Sequence, residues 1–352
     1  MKKILVICLT VVMALTMLAA CALPAEKPSA EATEAPTVEA TEAPSAEASE
    51  AVSDEANPLT GIKVGFSQME NNMPWRIGET NSMKNEAAAR GVELVYTDAQ
   101  SDSAKQANDI ESLIAQQVDY LVIAPREAEG LQSVLEDAEA AGIPVILVDR
   151  DTKGERLTFI HSDLYLEGQQ CAEILAQALG GKGNVVELTG TEGSSAAIDR
   201  QKGFMDVISS KYPDIKVIMS QTGNFSRIEG KDVMANILQA QGENIDAVYA
   251  HNDEMGLGAI EAIEADGRFV PGKDILIASI DGQKSGLEAV IDGKFVATVE
   301  CSPFFGPIVF DIIEQHLAGV TPESDIINPD RIFTIDGANG TTKAADAVDS
   351  AY

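Results

Sequence analysis

The chain has 352 residues, of which 56 are Asp or Glu and 25 are Lys or Arg, so its formal net charge is −31. This acidity argues against binding to nucleic acid or to anionic lipid headgroups through the folded part, because phosphate contacts need Lys and Arg. We expect no metal centre, since the three histidines are scattered and no Cys/His spacing resembles a zinc site.

The N-terminus has the pattern of an export signal. Lys2 and Lys3 precede an apolar run, residues 4–18, which ends in the small-residue sequence "LAAC". Spanning a bilayer takes about 20 residues, so this run is too short to do so comfortably. "LAAC" also resembles the lipobox of bacterial lipoproteins, which implies a signal peptide at 1–20 and lipidation of Cys21. The alternative is an ordinary cleaved signal with an incidental cysteine.

Residues 21–60 differ in composition from everything that follows. They contain "TEAP" twice and no aromatic residue, and they consist almost entirely of Ala, Glu, Pro, Ser and Thr. Such a segment buries too little apolar surface to offset the entropy of ordering it. The sequence therefore predicts a disordered acidic tether. It would hold a folded domain off the outer face of the cell membrane or, if unanchored, leave it in the periplasm.

From Gly61 onward, short apolar runs alternate with longer helical patterns. The runs are continuous rather than alternating, which is typical of parallel strands covered on both faces. The helical spacers between them predict an α/β fold with doubly wound parallel sheets. The first set of runs is "IKVGFSQ" (62–68), "VELVYTD" (92–98), "DYLVIAP" (119–125), "PVILVDR" (144–150) and "LTFIHSD" (157–163). The second set is "GNVVELTG" (183–190), "IKVIMSQTG" (215–223), "DAVYAHND" (246–253) and "DILIASIDG" (274–282).

Two sets of βα units in about 290 residues favour two similar domains over one. Breaks in the βα rhythm at "IHSDLYLEGQQ", "FVATVECSPFFG" and "RIFTIDG" predict three crossings between them. We expect a first lobe at 61–163 plus 302–328 and a second at 164–301 plus 329–352. Cys171 and Cys301 are more simply explained as buried free thiols than as one disulfide.

Polar and aromatic residues follow nearly every predicted strand. Ligands of open parallel sheets bind beyond the carboxyl ends of the strands, so these residues are candidates for a site. Helix capping is the competing explanation, and for Asp98 and Asp253 the two remain equally open. Capping explains arginine poorly, since a cation near a helix start opposes the helix dipole. The candidates are Gln68, Trp75, Arg76, Asp98, Asp149, Arg150, Arg200, Phe225, Asn252 and Asp281.

These side chains suit a neutral sugar. Arg150 and Arg200 are planar donors that match several vicinal oxygen acceptors, and aspartates accept hydrogen bonds from hydroxyls. Trp75, the only tryptophan, stands in what reads as a polar loop, where it and Phe225 would offer flat apolar surfaces to a sugar ring.

Catalysis and cofactor binding are poorly supported by comparison. "GTEGSS" (190–195) lacks the nucleophile elbow, and "GLGAIE" (256–261) lacks the third glycine of a dinucleotide fingerprint. No phosphate-binding loop is present. Glycoside hydrolysis needs one carboxyl with a raised pKa, whereas these acids stand beside arginines that keep them ionised. We therefore expect neither an enzyme nor a cofactor.

From Gly61 to Gly337 the chain resembles the periplasmic sugar-binding proteins of ABC importers, in the ribose-binding branch and especially its galactofuranose-binding members. The matching blocks are "PWRIGET", "DAQ", "PVILVDR", "VVELTGTEGSSAAIDRQKGF", "YAHNDEMGLGAIEAI" and "DILIASIDG". The resemblance implies two Rossmann-like lobes joined by three hinge crossings, as in type I periplasmic binding proteins. It further implies a monomer that encloses a galactofuranose-like or related aldose and delivers it to a membrane permease.

The resemblance also implies a set of ligand contacts, and this sequence departs from the family pattern at two positions. Pro74 precedes Trp75, and Cys301 stands where ribose binders carry glutamine, which weakens a ribose assignment. The alternative function is that of a sugar sensor, which presents its closed form to a chemoreceptor or histidine kinase. A DNA-binding regulator would need an N-terminal helix-turn-helix. The implied contacts are Asp149, Arg150, Trp75, Arg76, Arg200, Asn252, Asp281 and Phe225, with Gln68, Glu79 and Asp98 from the galactofuranose-type motif.

Overall fold

The computed structural model describes residues 57–352. The predicted signal peptide, Cys21 and most of the predicted tether lie outside this range. Residues 57–60, at the end of that tether, form a turn in which Leu59 is only 1% exposed, so the folded region begins before Gly61. Within the described range, no helix is both long and apolar enough to cross a membrane.

The first lobe is built on a six-stranded sheet in which every strand pair is parallel. Its strands are β1 (Lys63–Gln68), β2 (Glu93–Asp98), β3 (Tyr120–Ala124), β4 (Val145–Val148), β5 (Thr158–His161) and β11 (Asp325–Ile327). They lie in the order β11-β5-β4-β3-β1-β2, which places β1 next to the centre and β2 at an edge.

The second lobe is built on a seven-stranded sheet, in the order β13-β12-β10-β9-β8-β6-β7. It is parallel except for the antiparallel pair of β10 and β12. Its strands are β6 (Lys182–Thr189), β7 (Asp214–Thr222), β8 (Ala247–Ala250), β9 (Leu276–Asp281), β10 (Ala297–Glu300), β12 (Ile332–Thr334) and β13 (Thr342–Lys343). The chain passes between the two sheets after β5, after β10 and after β11, which confirms the three predicted crossings.

Helices cover both faces of the two sheets. Five of the ten α-helices in residues 57–352 begin at a polar N-cap in the loop after a strand. Each of these N-cap side chains accepts a hydrogen bond from a backbone N–H in the first turn; they are Asp102, Asp163, Ser194, Ser226 and Asn252. The α-helices are α1 (Pro74–Ala89), α2 (Ser103–Ala115), α3 (Gln132–Ala140), α4 (Leu164–Ala178), α5 (Ser195–Lys211), α6 (Arg227–Gln241), α7 (Asp253–Asp266), α8 (Lys284–Ile291), α9 (Gly306–Leu317) and α10 (Ala344–Ala347).

Burial on both faces explains the continuous apolar runs. In the first sheet, Leu121 and Ile123 pack toward α2 and α3, whereas Val122 of the same strand belongs to the core on the opposite face. Both faces of the central strands are therefore buried, as predicted for parallel sheets. Because all the parallel strands of a sheet end at one edge, the loops that follow them converge between the two lobes.

One local prediction is wrong. The stretch around Trp75 is not a polar loop but the first turn of α1, with Pro74 at its first helical position. Proline fits there because it has no N–H to leave unsatisfied and its φ is already helical. The cysteine prediction is confirmed, since Cys171 and Cys301 are buried and free.

Candidate functional site

A narrow cavity of about 30 Å³ lies between the lobes, at the carboxyl ends of both sheets. This volume is far below that of typical small-molecule sites, about 300–1,000 Å³, so the walls must move apart to admit a sugar. Both lobes contribute to its walls. The lining residues are Met73, Trp75, Arg76, Asp149, Arg150, Ala196, Arg200, Phe225, Asn252, Glu254, Asp281 and Cys301.

Arg76 is the best-paired cation of the cavity. Its Nη2 donates to Oδ2 of Asp149 at 2.6 Å, and its Nη1 donates to Oε2 of Glu79 at 2.8 Å. Gln68 donates to the same Glu79 oxygen at 2.8 Å. Although burial opposes a charge here, the two carboxylates raise the pKa of Arg76 above its usual value. Gln68 and Glu79 thus support Arg76 from behind and do not themselves line the cavity.

Arg150 differs from Arg76 because it makes no hydrogen bond to a carboxylate within residues 57–352. It is 3% exposed, and its Nη1 donates to the backbone oxygen of Arg126 at 3.1 Å. Its Nε lies 3.4 Å from Oδ2 of Asp149 and has no hydrogen-bond partner among the described residues. Burial and the neighbouring charge of Arg76 lower the pKa of Arg150 to about 10. This guanidinium therefore retains hydrogen-bonding capacity for a ligand.

Arg200 supplies the cation of the second lobe. Its Nε donates to Oε2 of Glu167 at 2.7 Å, and its Nη1 donates to the backbone oxygen of His251 at 2.7 Å. Its Nη2 lies 3.9 Å from Oδ1 of Asp281. Burial raises the pKa of Asp281 well above its ordinary value even though Arg200 opposes the shift. The separation between these two groups leaves both with capacity for ligand hydroxyls.

Two aromatic side chains supply the apolar surfaces of the cavity. Trp75 is 7% exposed, and its Nε1 donates to the backbone oxygen of Cys301 at 2.7 Å, which fixes the indole across the crossing after β10. The guanidinium of Arg76 lies 4.6 Å from the indole centroid. Phe225 of the second lobe lies below two guanidinium groups, those of Arg150 at 5.1 Å and Arg200 at 5.8 Å. Each aromatic ring is thus oriented by charged neighbours.

The backbone around the cavity is locally strained. Asp149, Phe225 and Asp281 have φ values of 65°, 61° and 131°, in a region that non-glycine residues rarely adopt. Gly190 makes room for Phe225, because a Cβ on this glycine would lie 1.9 Å from a ring carbon of Phe225. Such conformations each cost on the order of 1–3 kcal/mol and cluster at functional sites.

The lobes contact each other beside the cavity. The backbone N–H of Ala128, after β3, donates to the oxygen of Gly193, after β6, at 2.9 Å. The N–H of Asp151, after β4, donates to Oγ of Ser195 at 2.9 Å. These bonds join the two sheets across the cleft and hold the lobes in a closed arrangement.

Eight of the eleven predicted ligand contacts line this one cavity, the exceptions being Gln68, Glu79 and Asp98. Asp98 ends the edge strand β2 and accepts a hydrogen bond from the N–H of Gln100, so its position supports a turn rather than the cavity wall. Asn252 lines the cavity and also caps α7, which combines the two roles that the sequence left open.

Sequence reasoning missed four lining residues: Met73, Ala196, Glu254 and Cys301. The sequence did indicate Glu254 as a candidate, because it follows Asn252 and Asp253 directly after a predicted strand. The acid chosen for consideration there was Asp253, which instead points into the lobe and accepts hydrogen bonds from Ser279 and Thr298. Which of two adjacent acids faces a cleft depends on the rotation of α7, and that rotation is set by packing.

The cavity offers balanced charges and no group of metal ligands. The searched part of the chain, residues 57–352, contains no cluster of three His, Cys, Asp or Glu side chains able to hold a metal ion. Arg76 is paired with Asp149 and Glu79. Arg200 is paired with Glu167, so an ionic ligand is not needed to neutralise these two arginines. Mixed donors and acceptors beside two aromatic rings suit a neutral polyhydroxylated ring.

Comparison with known proteins places the chain in a family. A family model described as a periplasmic binding protein domain matches residues 64–319. The chain belongs to the periplasmic binding protein family, whose members bind substrates and are not enzymes. This confirms the type I two-lobe fold and the resemblance noted in the sequence.

Three relatives illustrate the similarity. The galactofuranose-binding protein of Escherichia coli is 43% identical over 289 residues, covering 80% of this chain and 89% of the relative. The ribose import binding protein of Bacillus subtilis is 36% identical, covering 77% and 87%. The periplasmic binding component of an arabinose ABC transporter from a Shewanella species, solved with α- and β-L-arabinofuranose, is 41% identical with a TM-score of 0.77, covering 82% and 95%.

Proposed function

We propose that this protein captures a monosaccharide in its furanose form, such as galactofuranose or arabinofuranose, between its two closing lobes. The observation that carries the proposal is the single cavity lined by three arginines, two aspartates and two aromatic rings drawn from both lobes. The furanose class is supported by relatives whose names or bound ligands are galactofuranose and arabinofuranose. Of the three remaining members of the predicted contact set, Gln68 and Glu79 act by orienting Arg76, and Asp98 has no part in binding.

The proposed sugar bridges the lobes. Its ring packs between Trp75 and Phe225, while its hydroxyls accept from Arg150 and Arg200 and donate to Asp149. Only contacts that exist when the lobes are closed can shift the equilibrium toward the closed form. The unpaired Nε of Arg150 is such a contact, because ligand oxygens would supply the acceptors that the protein does not.

We further propose that the closed form delivers the sugar to the permease of an ABC importer. In this account the mature chain is a monomer held on the outer face of the cell membrane by lipid on Cys21, with the acidic tether as spacer. The lobes extend over 61–163 plus 302–328 and 164–301 plus 329–352. The "LAAC" sequence and the composition of residues 21–60 support the anchor, and membership of the family supports the partner.

A thermal-shift screen of pentoses and hexoses tests the binding step. A ligand at 100 times its dissociation constant stabilises a folded protein by about 2.7 kcal/mol, so a melting shift identifies a binder without prior affinity data. We expect arabinose or galactose, both of which supply furanose forms, to raise the melting temperature. If no neutral sugar at millimolar concentration shifts it, the proposed function is wrong.

A further inference from the structure

A second opening adjoins the enclosed cavity on the cleft side. This outer groove, as we call it, has a volume of about 460 Å³, and both lobes line it. Its walls come from the loops after β1, β2 and β3 of the first sheet and after β6 and β7 of the second, together with the start of α7. The groove is therefore formed by the same edges of the two sheets as the cavity, and it is much the larger of the two.

The cavity and the outer groove share two wall residues, Met73 and Glu254. Glu254 is the rigid half of this partition, since both of its carboxylate oxygens are occupied by protein donors. Arg227 donates to them at 2.7 and 3.0 Å, and Gln283 donates at 2.7 Å. Met73 is the adaptable half, because an unbranched thioether has three rotatable bonds and makes no strong hydrogen bond. Rotation of the Met73 side chain would give a substituent on a bound sugar a path into the groove.

The surface of the outer groove combines apolar groups with hydrogen-bond donors and acceptors, as the cavity does. Ile228 is 74% exposed at its rim, an unusual exposure for an isoleucine in a helix. Arg126 lines the opposite side, and its buried Nε has no hydrogen-bond partner among residues 57–352. Asn224 adds an amide beside Ile228. An apolar plate flanked by donors and acceptors suits the C–H face and the hydroxyls of a second sugar unit.

We propose that the outer groove is a second sugar subsite. Its occupant is the second unit of a furanoside whose first unit fills the enclosed cavity, so the ligand class includes disaccharides and other glycosides as well as free monosaccharides. The inference rests on the proposed function, because it needs a sugar in the cavity. It adds an affinity determinant that a monosaccharide does not use.

Calorimetry with matched sugars tests the subsite. The one-unit probes are methyl L-arabinofuranoside and methyl D-galactofuranoside, and each is compared with its furanose-linked disaccharide, so that every sugar is locked in the furanose ring. We expect the disaccharide of the bound type to have a dissociation constant at least about 10-fold below that of the monosaccharide. The variant Ile228→Asp should remove this advantage and leave the affinity for the monosaccharide unchanged. Both this variant and its control should fold, since the substituted side chains are exposed.

The matched control is Ile198→Asp on α5, which alters another exposed isoleucine, outside the groove. It should leave the disaccharide advantage intact. A disaccharide that binds no better than its monosaccharide, or equal effects of the two variants, overturns the subsite while the proposed function stands. If neither monosaccharide nor disaccharide of either type binds, the proposed function fails, and the subsite fails with it.

Discussion

Replacing Arg150 by methionine should separate ligand binding from stability. The lowered pKa of this arginine, about 10 against an ordinary 12.5, corresponds to roughly 3 kcal/mol of electrostatic cost for holding its charge in the ligand-free site. A methionine keeps much of the packing over Phe225 and removes that cost. We therefore expect the ligand-free Arg150→Met protein to be as stable as the wild type or more stable.

Sugar binding should change in the opposite direction. A hydrogen bond from a charged donor contributes about 1.5–3 kcal/mol, so its loss weakens binding by about 10-fold to 150-fold. Calorimetry with the sugar identified by thermal shift measures the affinity, and urea unfolding of the ligand-free protein measures the stability.

Arg76→Met is the matched control, because Arg76 lies in the same cavity but is fully paired. Its removal leaves the buried carboxylate of Glu79 without a cation and leaves Asp149 with only the Nε of Arg150, 3.4 Å away. Breaking a buried pair in this way typically costs about 3–5 kcal/mol of unfolding free energy. If Arg150→Met bound sugar within about threefold of the wild type, or lost as much stability as Arg76→Met, our account of the cavity electrostatics would be refuted.

Three further predictions concern fluorescence, lobe closure and pH. Trp75 is the only tryptophan of the chain, so sugar binding should change the indole fluorescence of the wild type and cause no such change in Trp75→Phe. If the wild-type fluorescence did not change at saturating sugar, Trp75 would not belong to the site. Ser195→Ala should weaken sugar binding about fivefold by calorimetry without changing the ligand-free melting temperature, because its inter-lobe bond exists only in the closed form. The neighbouring N-cap variant Ser194→Ala should instead lower the melting temperature. The reverse pattern would contradict the assignment. Asp330 lies in the crossing between β11 and β12 and accepts a hydrogen bond from the N–H of Ser302. Burial, with Glu167 nearby, raises the pKa of Asp330 from 3.8 to about 8. The folded state therefore keeps a proton that the unfolded state loses, and the free energy of unfolding should fall as pH rises from about 4 to 8. Asp330→Asn should flatten that fall by about 1 kcal/mol or more in urea titrations, and an identical slope would show that Asp330 is ionised in the fold.

The strand-end argument predicted most of the cavity because it depends only on topology. Asp149, Arg150 and Asp281 follow buried apolar runs directly, and the carboxyl ends of parallel strands must meet at one edge. The same argument misplaced Asp98, because the sequence does not reveal that β2 lies at the edge of its sheet. Strand order is decided by packing between elements that are distant in the chain.

Other features depended on local geometry that the sequence expresses weakly. Trp75 was expected in a loop because its surroundings are polar, whereas Pro74 at the first helical position was the available helix signal. Met73 and Cys301 line the cavity through backbone placement rather than through an informative side-chain type. Glu79 was identified only through family resemblance, whereas Gln68 followed from the strand-end argument as well. Their hydrogen bonds behind Arg76 give that resemblance a physical reason.

The central claim is that a furanose sugar occupies the enclosed cavity between the lobes. A crystal structure of the protein with saturating L-arabinose or D-galactose tests this claim most directly. We predict one furanose ring between Trp75 and Phe225, with its oxygens at hydrogen-bond distance from Arg150, Arg200 and Asp149. A sugar bound elsewhere, a pyranose ring in the cavity, or a cavity that stays empty at saturation would contradict the account.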